Sequence, residues 1–177
     1  MPVRKVNVAL KLGFLEIGGD WTPDDAEERA AWEMYVELVT RISVAELRPG
    51  DGVLREALSS LYSLFATTRD ILKRYGPGIA RGKDGGSLSF GYIAVAVLNG
   101  ALRPLLAEWH PALASHEALR PPTLAPADHE RTWDRADELR VQLNALRQVL
   151  LDYSYLLADA VDAPALMRAV RDTADRH

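Results

Sequence analysis

Apolar and polar residues alternate near the start of the chain. Val6, Val8, Leu10 and Leu12 are apolar, with Asn7 and Lys11 between them. A period of two predicts a strand with one buried face. Gly13 interrupts the run, and beyond it the apolar set moves to Leu15 and Ile17, the opposite parity. A glycine with a parity flip predicts a bulge or bend within one strand. A hairpin is the alternative, but neither Asn-Gly nor Asp-Gly stands there to make a tight turn. Gly18, Gly19 and Asp20 close the segment.

Everything after residue 21 has helical periodicity. Thr22, Pro23 and two aspartates form a helix start, with Thr22 as cap and Pro23 in the first turn. The predicted helix covers residues 23–42 and carries Trp32, Tyr35, Val36, Val39 and Ile42. A second helix over 53–75 has the seam Leu54, Leu58, Leu61, Phe65, Thr68, Leu72 and Tyr75, a heptad spacing with one polar member. Gly76 and Pro77 end it. Residues 76–86 form a glycine-rich connector. A third helix, over 90–106, is apolar nearly all round and predicts deep burial. Pro104 kinks it, and Trp109-His110-Pro111 ends or redirects it before a short piece through Leu119. A fourth helix over 128–159 has the longest unbroken seam: Ala136, Leu139, Leu143, Leu146, Leu150, Tyr153, Leu157 and Ala160. Pro164 breaks it, and residues 165–172 form a last short helix.

Four amphipathic helices of this length predict a mainly α fold. It is a four-helix bundle with an N-terminal strand or bent strand and a short C-terminal helix. Residues 1–20 form the β segment and residues 21–177 the bundle. A lone strand leaves backbone groups unpaired. The apolar face of Val6, Val8, Leu10 and Leu12 is therefore the expected interface, through which two copies pair as a homodimer.

Composition narrows the function. The chain has 177 residues, no cysteine, 25 acidic and 21 basic side chains, and a net charge of −4. Disulfides and thiolate chemistry are excluded. The acidic balance disfavours a nucleic-acid partner. No signal-peptide pattern opens the chain, and the apolar run from Phe90 contains Asn99 and Arg103. The expectation is a cytoplasmic bacterial protein with no membrane span.

Candidate chemistry is sparse. No two of the histidines His110, His116, His129 and His177 share an i, i+4 spacing, so no metal or other cofactor is expected. The loop Arg81-Gly82-Lys83-Asp84-Gly85-Gly86 leads into a helix as a phosphate loop does, but it lacks the Walker spacing. Tyr35, Thr40, Arg41, Thr68, Arg69, Asn99 and Arg103 stand near the helix seams and predict a buried polar network. A ligand pocket is the second reading of that set. Arg103 precedes His110 by seven positions. This resembles the Arg-x(4–6)-His motif of the all-helical HEPN ribonucleases, in which the histidine handles protons and the arginine binds phosphate. The proline after Arg103 departs from the polar residue common there. The structural reading is that Arg103 bonds carbonyls freed at Pro104 while His110 caps a helix end.

The runs 33–41 (EMYVELVTR), 61–69 (LYSLFATTR) and 97–104 (VLNGALRP), with Trp109-His110-Pro111, carry a second resemblance. Over residues 30–160 the chain resembles an uncharacterised bacterial all-helical family found near predicted immunity or conflict systems. That resemblance implies no catalytic residues. The leading expectation is a non-enzymatic interaction module of a bacterial defence or signalling system. The alternatives are a HEPN-like ribonuclease using Arg103 and His110, and a small-ligand sensor with a pocket between the second and third helices.

Overall fold

Two strands open the chain rather than one. β1 (Val6–Leu12) and β2 (Leu15–Trp21) pair antiparallel in a computed structural model that describes residues 4–41, 46–50, 52–83 and 85–174, with side chains to residue 170. Leu12 faces Leu15, Leu10 faces Ile17 and Val6 faces Trp21. Across a two-residue turn the facing positions sum to an odd number. A face built from even positions in β1 therefore continues through odd positions in β2. The parity flip at Gly13 marks this hairpin, not a bend. Gly13 has φ +74°, and Phe14 does not share the positive φ. Glycine at the first central position suits a type II′ turn, which needs no Asn-Gly pair.

Six helices follow among the described residues, and the fold is mainly α. They are α1 (Asp25–Val39), α2 (Leu54–Tyr75), α3 (Phe90–Glu117), α4 (Pro126–Arg131), α5 (Ala136–Ala160) and α6 (Ala165–Ala174). Four of these are long and share one core with the inner face of the hairpin. Val6, Val8, Leu10 and Leu12 are at most 2% exposed, and β1 packs on α5. The interface assigned to these residues is therefore part of the core. Helices of the same chain already cover the apolar surface that a second copy was expected to bury, and β2 supplies the backbone pairing.

The long seams fall where periodicity put them. Leu139, Leu143, Leu146, Leu150, Tyr153, Leu157 and Ala160 are all buried on α5. On α2 the buried stripe drifts from Leu61 to Leu64, Thr68 and Ile71, which leaves Phe65 and Leu72 half-buried beside it. A 3.6-residue turn drifts against a strict heptad in this way. Ile42 of the predicted first seam lies outside the described residues. α1 is capped by Asp24 rather than Thr22, because Asp24 Oδ1 accepts from the amides of Ala26 and Glu27.

Two boundaries differ from expectation. α3 runs through Pro104 and Pro111 for 28 residues. Residues Leu98–Leu102 form a π-helical turn just before Pro104. A proline ring clashes with the carbonyl four residues back, and the wider turn moves that carbonyl away. α3 is long and apolar enough to cross a membrane, yet 56% of its most apolar window is buried inside the protein. The predicted fourth helix is two helices. Residues 132–135 break it and turn Trp133 inward, where its ring meets Trp109 edge-on at 6.0 Å.

Glu27 ties the hairpin to the bundle. It is fully buried, and its carboxylate accepts from Trp21 Nε1 (3.2 Å), the Asp24 amide (3.0 Å) and the Phe90 amide at the start of α3 (2.9 Å). Lys83 Nζ completes the set with an ion pair. Lys83 is therefore committed to Glu27 and to the Thr22 carbonyl, not to a phosphate. Two glycines allow the close approaches around α3. A Cβ at Gly91 would stand 2.7 Å from Ala80 Cβ in the 3-10 turn Pro77–Ala80, and one at Gly100 would stand 3.2 Å from Leu12 Cβ.

Two substitutions test this packing. Glu27→Ala leaves two buried donors, the part-buried Asp24 amide and the half-buried Lys83 without their acceptor, so it should cost about 3–5 kcal/mol in denaturant unfolding. A loss below about 1 kcal/mol would contradict the assigned role. Tyr153 has the opposite expectation. Its hydroxyl is buried with no partner, and burial pushes its pKa up. Tyr153→Phe removes an unsatisfied group and should be neutral or stabilising by about 1 kcal/mol.

Candidate functional site

The polar residues predicted to form one network do not come together in one. Tyr35 is buried, and its hydroxyl accepts from the Met167 amide at 3.1 Å, fastening α6. Thr40 donates to its own helix at the Val36 carbonyl. Arg41 joins the end of α1 to α2, donating to the Ser60 carbonyl (3.2 Å), Thr67 Oγ1 (2.9 Å) and Glu37 (2.6 Å). Thr68 is buried in the α2 seam. Arg69, Asn99 and Arg103 belong elsewhere. Asn99 Oδ1 accepts from Arg103 Nε at 2.9 Å on the exposed side of α3. The single buried network is thus replaced by separate ties, and Arg69 stands exposed on α2.

Arg69 and Arg103 line an open groove between α2 and α3 of about 530 Å³. Tyr62 and Phe65 join Arg69 on the α2 side, at i, i+3 and i+7. Leu106, Ala107 and His110 follow Arg103 on α3 with the same helical spacing. The π turn immediately before Arg103 sets which face of the following helix meets α2. Tyr62 meets His110 edge-on, with ring centres 5.5 Å apart. The Arg103 guanidinium lies 5.3 Å from the Phe65 ring centre. The two stripes therefore run in opposite directions. Tyr62 and His110 form one end, and Arg103 with Arg69, one turn beyond Phe65, forms the other. Seven residues of helix separate the ends by about 10 Å.

No carboxylate lines this groove. Neither Arg69 nor Arg103 has an ion-pair partner among the described residues. By contrast, the groove between α1 and α2 is lined by Glu33, Glu37 and Asp70.

His110 is held in one protonation state. Arg55, in the first turn of α2, places Nη1 2.7 Å from His110 Nδ1. A guanidinium only donates, so Nδ1 accepts and the proton sits on Nε2. Arg55 is itself held by Glu117, through Nε at 2.9 Å and Nη2 at 2.8 Å. Its backbone amide and that of Leu54 donate to Glu130 of α4, at 3.4 and 2.8 Å. Burial and the Arg55 charge hold the imidazole below its ordinary pKa, against a smaller opposing pull from Glu117. Nε2 is buried and has no partner. The groove thus ends at an imidazole whose second nitrogen is shielded from solvent.

Arg103 and His110 were expected from the sequence, and the structure opens both onto one groove. Arg55, Glu117 and Glu130 were missed. Their contacts join residues 55 to 76 positions apart, and no local pattern signals such pairs. Tyr62 and Phe65 had a readable signal, since aromatic residues precede Arg69 on one helical face. Among the described residues no group of three or more histidines and carboxylates has the arrangement of a metal site. Comparison with protein-family models, curated proteins and solved structures finds no match to this chain.

The His110 state has a pH consequence. Its folded pKa lies below the unfolded value of about 6.5. Between those two values the unfolded chain binds the proton more readily, so acidification removes stability. The comparison is with His110→Asn, which keeps an acceptor near Arg55 but does not titrate. The melting temperature of the native chain should exceed that of the variant at pH 7, and the gap should narrow as the pH falls towards 5. A gap that stays constant or widens would contradict the assignment.

Proposed function

We propose that this protein is a non-enzymatic binding module whose α2–α3 groove captures a small anionic ligand. The observation that carries this reading is the pairing of Arg69 and Arg103 at one end of a groove that no carboxylate lines. Two guanidiniums without an ion-pair partner suit an oxyanion, since Arg presents paired N–H groups. The expectation of a ligand sensor with a pocket between the second and third helices agrees with this location. In a bacterial conflict or signalling system, the setting implied by the family resemblance, ligand capture would control the module.

The ribonuclease reading uses the same two residues, Arg103 and His110. It needs an imidazole nitrogen free to take a proton from the attacking hydroxyl. Here one nitrogen carries the proton and the other accepts from Arg55. That favours binding over proton abstraction. Assembly through the N-terminal strand loses its support, since its apolar face lies in the core.

The test is thermal unfolding in inorganic phosphate. An anion at about ten times its Kd adds about 1.4 kcal/mol. For a chain of this length that is a rise of roughly 3–6 °C. The double variant Arg69→Ala/Arg103→Ala should lose this rise while keeping the general salt effect, which acts on any protein surface. An equal rise in both proteins would refute the reading.

A further inference from the structure

The groove is chemically asymmetric. One end carries the exposed ring of Tyr62, 63% accessible, with the His110 ring edge-on to it. The other end carries the guanidiniums of Arg69 and Arg103. Phe65, Leu106 and Ala107 line the stretch between them. A ligand that satisfies the whole groove is flat and aromatic at one end and an oxyanion about 10 Å away. A base stacks on an exposed aromatic side chain whatever its identity.

We infer that the groove holds a free nucleoside monophosphate, with the base on Tyr62 beside His110 and the phosphate between Arg69 and Arg103. This rests on the anion-binding reading and names its ligand class. The volume of about 530 Å³ suits one drug-sized ligand. A longer nucleic acid is disfavoured by the net charge of −4, since a polyanion needs an extended run of cations.

Isothermal titration calorimetry of the full chain with AMP, inorganic phosphate and a short single-stranded oligoribonucleotide tests the inference. AMP should bind about tenfold or more tightly than inorganic phosphate, the gain expected from stacking one base. Tyr62→Ala should erase that gain and leave phosphate binding unchanged, and Tyr62→Phe should keep the gain. Tyr62 is mostly exposed, so both variants keep the fold. AMP and phosphate of equal affinity would overturn the nucleotide assignment and leave the anion reading standing. An AMP advantage that survives Tyr62→Ala would overturn the placement of the base. An oligoribonucleotide more than about tenfold tighter than AMP would overturn the choice of a free nucleotide. If neither AMP nor phosphate binds, the inference and the anion reading fail together.

Discussion

The first amides of a helix have no partner within that helix, and a buried helix start must find one elsewhere. This fold meets that requirement with two buried carboxylates. Glu27 of α1 accepts from the Phe90 amide at the start of α3, and from Trp21 at the end of the hairpin. Glu130 of α4 accepts from Leu54 and Arg55 at the start of α2. Each carboxylate also lies at the positive end of a helix dipole. Val53, the residue at the α2 cap position, provides no side-chain acceptor, so α2 begins where Glu130 allows it. The order of elements in space follows from these two long-range caps as much as from the apolar seams.

The groove inherits its chemistry from the second cap. Glu130 fixes the first turn of α2, which carries Arg55. Arg55 is aligned by Glu117 and donates to His110. One imidazole nitrogen is thereby used up, and the other is left as a buried donor. The π turn in α3 sets the other end, where Arg103 is steadied by Asn99 and lies over Phe65. Two helices thus present donors along a groove, and the acids that support them stay outside it. The site is therefore a property of how α2, α3 and α4 meet.

The sequence revealed the elements better than the meetings between them. The α5 seam from Leu139 to Ala160 was legible because burial on one helix face imposes a period that survives tertiary packing. The hairpin was misread as a bend, although the shift from Leu12 to Leu15 encodes a two-residue turn. Pro104 and Pro111 suggested breaks, but packing on both sides keeps α3 helical through them. For the site, Arg103 and His110 were legible as a spaced pair on one helix. Their meaning was not, because it depends on Arg55, which lies 55 positions from His110. The strand face of Val6 to Leu12 looked free only because a sequence does not show which surface covers it.

Arg55 fixes His110, at the end of the groove, as a neutral imidazole with its proton on Nε2. Long-range ¹⁵N–¹H correlation of the His110 ring at neutral pH tests it without any ligand. His110→Asn identifies the signal. The ring should show an unprotonated Nδ1 and a protonated Nε2, with the pattern lost in Arg55→Ala. A proton on Nδ1, or a doubly protonated ring at neutral pH, would contradict it.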